Sequence, residues 1–229
     1  MAELPDLAKT EVAVVERTNA FRKTESLQPV ERNSALDNAA KKFAQYLAKS
    51  GRFAHEADGR QPADRVREAG YQLCMVAENL ASNLDSRGFT PDRLADEAVE
   101  GWKASPGHRK NLMLPNVIDI GVGVAQAPGP DPKYLTVQLF GRPIHLTQEF
   151  RVVNRSHDAV TYTVDGKAHT VEPRVTIKHV TCDPIEVVFE RSGAWPAFTR
   201  LGARYKVRSG AEFILRPGPG GRVNVDLKM

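Results

Sequence analysis

The stretch Gly101-Trp102-Lys103-Ala104-Ser105-Pro106-Gly107-His108-Arg109-Lys110-Asn111-Leu112 decides how this chain is read. It sets an imidazole and a guanidinium on a tight Ser-Pro-Gly turn, where side chains usually reach solvent. Just upstream, Thr90-Pro91 opens a helix: the hydroxyl can accept from the first free amides, and proline loses nothing at the first helical position. Leu94, Ala95, Ala98, Val99 and Trp102 form its apolar face, while Glu97 and Glu100 fall on other sides and are expected in solvent. Ser105, ahead of Pro106, is expected to cap the short helix that follows.

Working back towards the start, Leu36, Ala39, Ala40, Phe43, Ala44, Leu47 and Ala48 recur at helical spacing and make one face of a helix from Asn33 to Ser50 apolar throughout. Ser34 and Asp37 read as its capping box, and Gly51 as the left-handed residue that stops it. Further helices are expected from about Leu7 to Lys23 and from Pro62 to Ala69, the second closed by Gly70. A short strand from Gln72 to Val76 should lead into Glu78. Beyond the opening stretch, Ile118, Ile120, Val122 and Val124 alternate with Asp119, Gly121, Gly123 and Ala125. Tyr134 to Phe140 is β-rich on both faces, as a central strand is. Helices interspersed with a small, mainly antiparallel sheet predict an α+β, α-β-α layered domain over 1–143.

After Gly141-Arg142-Pro143 the helical period disappears. Residues 149–155, 159–164, 168–171, 175–180, 186–190, 204–208, 211–215 and 222–227 read as short strands separated by turn signals, so 144–229 is expected to be a small all-β sandwich. Tyr162, Phe189, Trp195, Phe198 and Tyr205 are expected mainly in its core, with the Gly193-Ala194-Trp195-Pro196 loop the best place for an exposed, sugar-stacking ring.

The formal net charge is +4, and the excess lies in 146–229, which carries 13 Lys and Arg against 9 Asp and Glu. These basic residues are scattered rather than interleaved with aromatics, which argues against nucleic acid. No apolar run is long enough to span a membrane. Met1-Ala2-Glu3-Leu4-Pro5-Asp6 lacks the basic and apolar regions of a secretory signal, which leaves open a cytosolic protein or an export signal outside this sequence. Cys74 and Cys182 are too few for a disulfide framework and read as two independent thiols, with a bridge between the two parts of the chain as the alternative.

His55, Glu78 and His108 are the candidate chemical groups, although their long spacings match no local metal motif. What draws them together is order along the chain. Asn19 and Arg22, the helix Leu36 to Ala48, Phe53-Ala54-His55, Ala77-Glu78-Asn79-Leu80, Trp102 to Leu112, Gly121 to Ala125 and Gln138-Leu139-Phe140-Gly141 together resemble the CAP superfamily (cysteine-rich secretory, antigen 5 and pathogenesis-related 1 proteins; SCP domain) in its bacterial form. The resemblance covers about residues 10–141.

That resemblance implies a cleft lined by His55, Glu78, Asn79, Trp102, Ser105 and His108, with His55 and His108 binding an exchangeable divalent metal such as zinc. The family's second glutamate falls on Ser105, which lowers the negative charge available to a cation. Arg109 is expected to turn away towards a carboxylate such as Asp119 or Glu97. The resemblance also implies a periplasmic or secreted location. Three functions follow as expectations: a binding module for a small-molecule, lipid or cell-envelope ligand; a hydrolase using Glu78 and His108 as acid and base with Ser105 as nucleophile; and a lipid or sterol carrier. The enzyme question stays open, with non-catalytic binding preferred, because a nucleophilic serine needs a base within about 2.6–3.2 Å and an orienting third group.

Overall fold

Where the sequence places Gly121 and Gly123, a strand lies directly against a helix backbone. A Cβ on Gly121 would sit 2.2 Å from the Leu36 carbonyl carbon, and one on Gly123 would sit 2.3 Å from that of Ala40. This close approach organises the first of two units, 1–145 and 146–229, in a computed structural model that describes residues 4–189, 203–218 and 223–229.

The first unit contains helices α1 (Leu7–Thr24), α2 (Ser34–Ser50), α3 (Pro62–Glu68), α4 (Pro91–Ala104) and α5 (Pro106–Leu112). Its strands β1 (Glu31–Arg32), β2 (Leu73–Leu84), β3 (Asp119–Gln126) and β4 (Lys133–Pro143) form one sheet in the order β1-β3-β4-β2. Short β1 runs parallel to β3, and the other pairs are antiparallel. One apolar cluster joins α2 and α3 to the sheet through Leu36, Phe43, Leu47, Val66 and Leu139. A second joins α1 and α4 to it through Val14, Phe21, Leu94, Trp102 and Phe140. Layering helices on both faces lets every apolar stripe find a partner, and this is the α-β-α arrangement expected.

Two local readings are corrected. Asn33, not Ser34, caps α2, because its side chain accepts from both Ala35 and Leu36 amides at 3.0 and 3.3 Å. Asp37 is thereby free to accept from the Val122 amide of β3 at 2.9 Å, a second tie between helix and sheet. The strand expected over Gln72 to Val76 is twelve residues long and carries Glu78 and Asn79 in its middle, because pairing with β4 is unbroken from Val76 to Leu84. Other signals hold: Thr90 caps α4 through the Arg93 amide, Gly51 adopts φ 69° after α2, and Glu97 and Glu100 are solvent-exposed.

The second unit consists of β5 (Gln148–Asn154), β6 (Val160–Val164), β7 (Lys167–Val171), β8 (Thr176–Thr181), β9 (Glu186–Phe189), β10 (Ala203–Lys206), β11 (Glu212–Pro217) and β12 (Val223–Lys228). They form two sheets, β10-β9-β6-β7 and β12-β11-β5-β8. Phe150, Val152 and Phe213 from one sheet share a core with Tyr162, Val187 and Phe189 from the other, which makes the unit a sandwich. Tyr162 and Phe189 are thus core residues, and Tyr205 packs partly against them. Trp195, Phe198 and the 193–196 loop lie outside the described residues. No described helix is long and apolar enough to cross a membrane. Neither Cys74 nor Cys182 is a free thiol, which corrects their reading as independent thiols.

Candidate functional site

Strand β2 is an edge of its sheet, so one side of it is open to other elements. Alternation along the strand sends Glu78 towards the α2–α3 layer and Asn79 towards the α1–α4 layer. Each then fixes one of the two histidines.

The Glu78 side chain is 1% exposed and both of its oxygens are engaged. Oε2 accepts from the Arg65 guanidinium at 2.8 Å, and Oε1 lies 2.8 Å from His55 Nδ1. Arg65, supplied by α3 and itself buried, also donates to Asp58 Oδ1, to the Arg60 carbonyl and to the His55 carbonyl, each at 2.9 Å. Its guanidinium carbon sits 3.5 Å from the centroid of the Phe43 ring. One arginine therefore ties the loop after α2, the edge strand and the core together. The Tyr46 hydroxyl, donating to the Ala57 carbonyl at 3.0 Å, anchors the same loop.

With Nδ1 held on Glu78, the His55 ring has its other nitrogen without a hydrogen-bond partner among the described residues. Its side chain is 49% exposed. The hydrogen bond to Glu78 raises the His55 pKa above its ordinary value, although partial burial works the other way.

His108 is held from the opposite layer. Asn79 is fully buried and donates to the His108 carbonyl at 3.3 Å and to Gln138 Oε1 of β4 at 3.0 Å. Gln138 in turn donates to Thr18 in α1 at 2.8 Å, and Thr18 to the Val14 carbonyl at 2.7 Å. Asn111 of α5 closes the network by donating to Asn79 Oδ1 and to the Glu78 carbonyl. This chain of amides fastens α5, and with it His108, to the β2 edge. Its buried polar groups are largely mutually satisfied, which is why they can be buried. The ring of His108 is half-buried and has no hydrogen bond among the described residues. Burial, followed by the nearby charge of His55, lowers its pKa. The two imidazoles are pushed in opposite directions, His55 towards its cation and His108 towards its neutral form.

The remaining expected residues fall elsewhere. Trp102 is 1% exposed and donates its indole N–H to the Leu80 carbonyl at 2.9 Å, so it sits beneath the site in the core. Ser105 is the N-cap residue of α5, as expected, with its carbonyl accepting from the Arg109 amide at 2.8 Å, but its side chain makes no capping hydrogen bond. Its hydroxyl has no hydrogen bond to either histidine among the described residues. Arg109 pairs with Glu25 at 2.7 Å and lies over the Phe21 ring, because α5 runs beside the end of α1. The expected partners are already taken: Asp119 accepts from Tyr71 at 2.7 Å, and Glu97 from Arg93 at 3.1 Å. Arg65 and Thr18 are site-building residues that sequence reasoning did not find, and Gln138 entered there only as part of a strand landmark. Arg65 and Arg67 on the seven-residue α3 both read as solvated, and nothing local marks the distant partner of Arg65.

Residues 15–140 match the family described as CAP, the cysteine-rich secretory protein family. The chain is 30% identical over 118 residues to the uncharacterised protein YkwD of Bacillus subtilis, a stretch that is 51% of this chain and 43% of that one. It therefore spans less than half the length of this relative. Among solved structures it is similar to an outer surface protein of Borrelia burgdorferi, at 22% identity and a TM-score of 0.52, covering 62% of this chain and 98% of that one. An extracellular SCP-domain protein of Bacillus anthracis is 23% identical with a TM-score of 0.49, covering 59% and 41% respectively.

Proposed function

The chain belongs to the cysteine-rich secretory protein family, CAP, and from that premise we propose that it is an extracytoplasmic binding protein whose His55–His108 cleft takes an exchangeable divalent cation, zinc above all, beside a small or polymeric cell-envelope ligand. The observation that carries this reading is the docking of His55 Nδ1 on a buried Glu78–Arg65 pair. A carboxylate that accepts from one imidazole nitrogen fixes the ring and leaves the other as a donor to metal.

The donor set suits the ion. Neutral imidazoles bind Zn²⁺ at about 2.0–2.1 Å, and a half-buried His108 biased to its neutral form fits that role. Among the described residues no group of three or more His, Cys, Asp or Glu side chains converges to hold a metal, so water would complete the coordination and the ion would exchange. When bound, such an ion supplies Lewis-acid polarisation to an oxygen of the ligand. His55 and His108 would hold it, Glu78 would orient His55, and Asn79 with Asn111 would keep α5 in place.

Binding is favoured over hydrolysis by the same geometry, because both Glu78 oxygens are already engaged and the Ser105 hydroxyl lacks a base. Location outside the cytosol is supported by the absence of a free thiol, since disulfides persist in oxidising compartments. Calorimetric titration with Zn²⁺ tests the reading. Wild type is expected to take up one more equivalent than His55→Ala/His108→Ala, whereas identical isotherms would remove the cleft as a cation site.

A further inference from the structure

Two more histidines meet in the second unit, on strands that belong to different sheets. His169 lies on β7 and His179 on β8, each the edge strand of its own sheet, so both stand at an open side of the sandwich. Their ring centroids are 4.9 Å apart with the planes at 79°. Both residues are partly exposed.

The surroundings hold this pair in place. His179 stacks on Phe150 of the core at 4.8 Å, and its Nε2 lies 2.7 Å from the Tyr162 hydroxyl. Tyr162 is fully buried and also stacks against His169 at 5.6 Å. In the tautomer whose Nε2–H donates to the phenol oxygen, Nδ1 is the His179 nitrogen left with a lone pair for another partner, an arrangement in which an oxygen orients the ring from behind. Burial pushes the Tyr162 phenol up to about 12, so it stays protonated and neutral at this post. Burial, followed by the charge of His169, lowers the His179 pKa, which keeps its imidazole ready to coordinate.

We propose that His169 and His179 form a second divalent-cation site, at the open edge of the β-sandwich, for a borderline metal of the zinc, nickel or copper kind. Imidazole nitrogen selects these metals over calcium or magnesium, which take oxygen. Because the two ligands come from different sheets, a bound ion links the edges of the sandwich and stabilises the folded second unit by mass action.

The test uses the full chain carrying His55→Ala/His108→Ala, so that the first cleft is silent, with Cu²⁺ and Zn²⁺ ions alone as probes. One equivalent is expected to bind, to raise the thermal midpoint, and with Cu²⁺ to give electron paramagnetic resonance hyperfine structure from two nitrogens. His169→Gln, a change at the partly exposed edge, is expected to keep the fold by circular dichroism, to weaken binding by more than about tenfold and to remove one nitrogen from the spectrum. No binding in the silent-cleft protein, or binding and spectrum unchanged by His169→Gln, would overturn the proposal. Neither result bears on the His55–His108 reading, which has its own titration.

Discussion

At the scale of single residues, Glu78 separates the behaviour of the two candidate histidines. It raises the pKa of His55, whereas burial and the His55 charge lower that of His108. The His55–Glu78 hydrogen bond therefore adds stability that is fully present below the unfolded histidine value and is lost as pH rises through the raised folded value. For His108 the sign is opposite: stability is lost as pH falls below the unfolded value, where the protein resists a proton that the unfolded chain accepts. His55 is half exposed, so solvent screens its contribution. The proposed cation site needs both rings neutral, and its affinity should climb with pH through the raised His55 value. Glu78→Gln is expected to lower the His55 midpoint in an NMR titration and to move the pH dependence of Zn²⁺ uptake down with it. An unmoved His55 midpoint in that variant would show that the carboxylate does not govern the ring. His55, Glu78 and His108 were legible in the sequence because they sit in family landmarks. Arg65 was not, because its pairing with Glu78 arises only when α3 folds against the edge strand.

At the scale of elements, the site depends on how closely α2 lies on β3 and how firmly α5 lies on β2. Gly121 has no room for a methyl group, and its nearest neighbours are helix backbone atoms that cannot rotate away. Gly121→Ala should destabilise the protein by about 3 kcal/mol, the upper part of the range for overpacking. Gly101, inside α4, has nothing within 4 Å of the same methyl group, and Gly101→Ala should stabilise by about 0.5–1 kcal/mol. Urea denaturation of the two variants checks the pair, and equal effects would contradict the packing described. Helix α2 and the strands of the second unit were legible because unbroken periodicity marks a face. β2 was read too short because Glu78 and Asn79 interrupt its apolar pattern, and their burial is supplied by partners on α3, α5 and β4. Likewise, Asn33 rather than Ser34 caps α2, and Asp37 is taken by the Val122 amide, a long-range bond that no local rule predicts.

At the scale of the whole molecule, the chain devotes one unit to helices layered on a four-stranded sheet and the other to a sandwich with its own core. The change in sequence grammar after Pro143 reflects this directly, since each unit buries its apolar residues with a different period. The function was less legible than the fold, because fold alone does not assign activity. What the structure adds is the manner in which His55 and His108 are presented, one pinned by a buried carboxylate and the other carried on a helix that is tied down by amides. The most direct measurement follows the ring resonances of both histidines by NMR during stepwise addition of Zn²⁺ to the wild-type chain. The two should shift together and reach their limits at the same added equivalent. If either ring moves without the other, or both remain still while zinc binds, the two imidazoles do not share one ion.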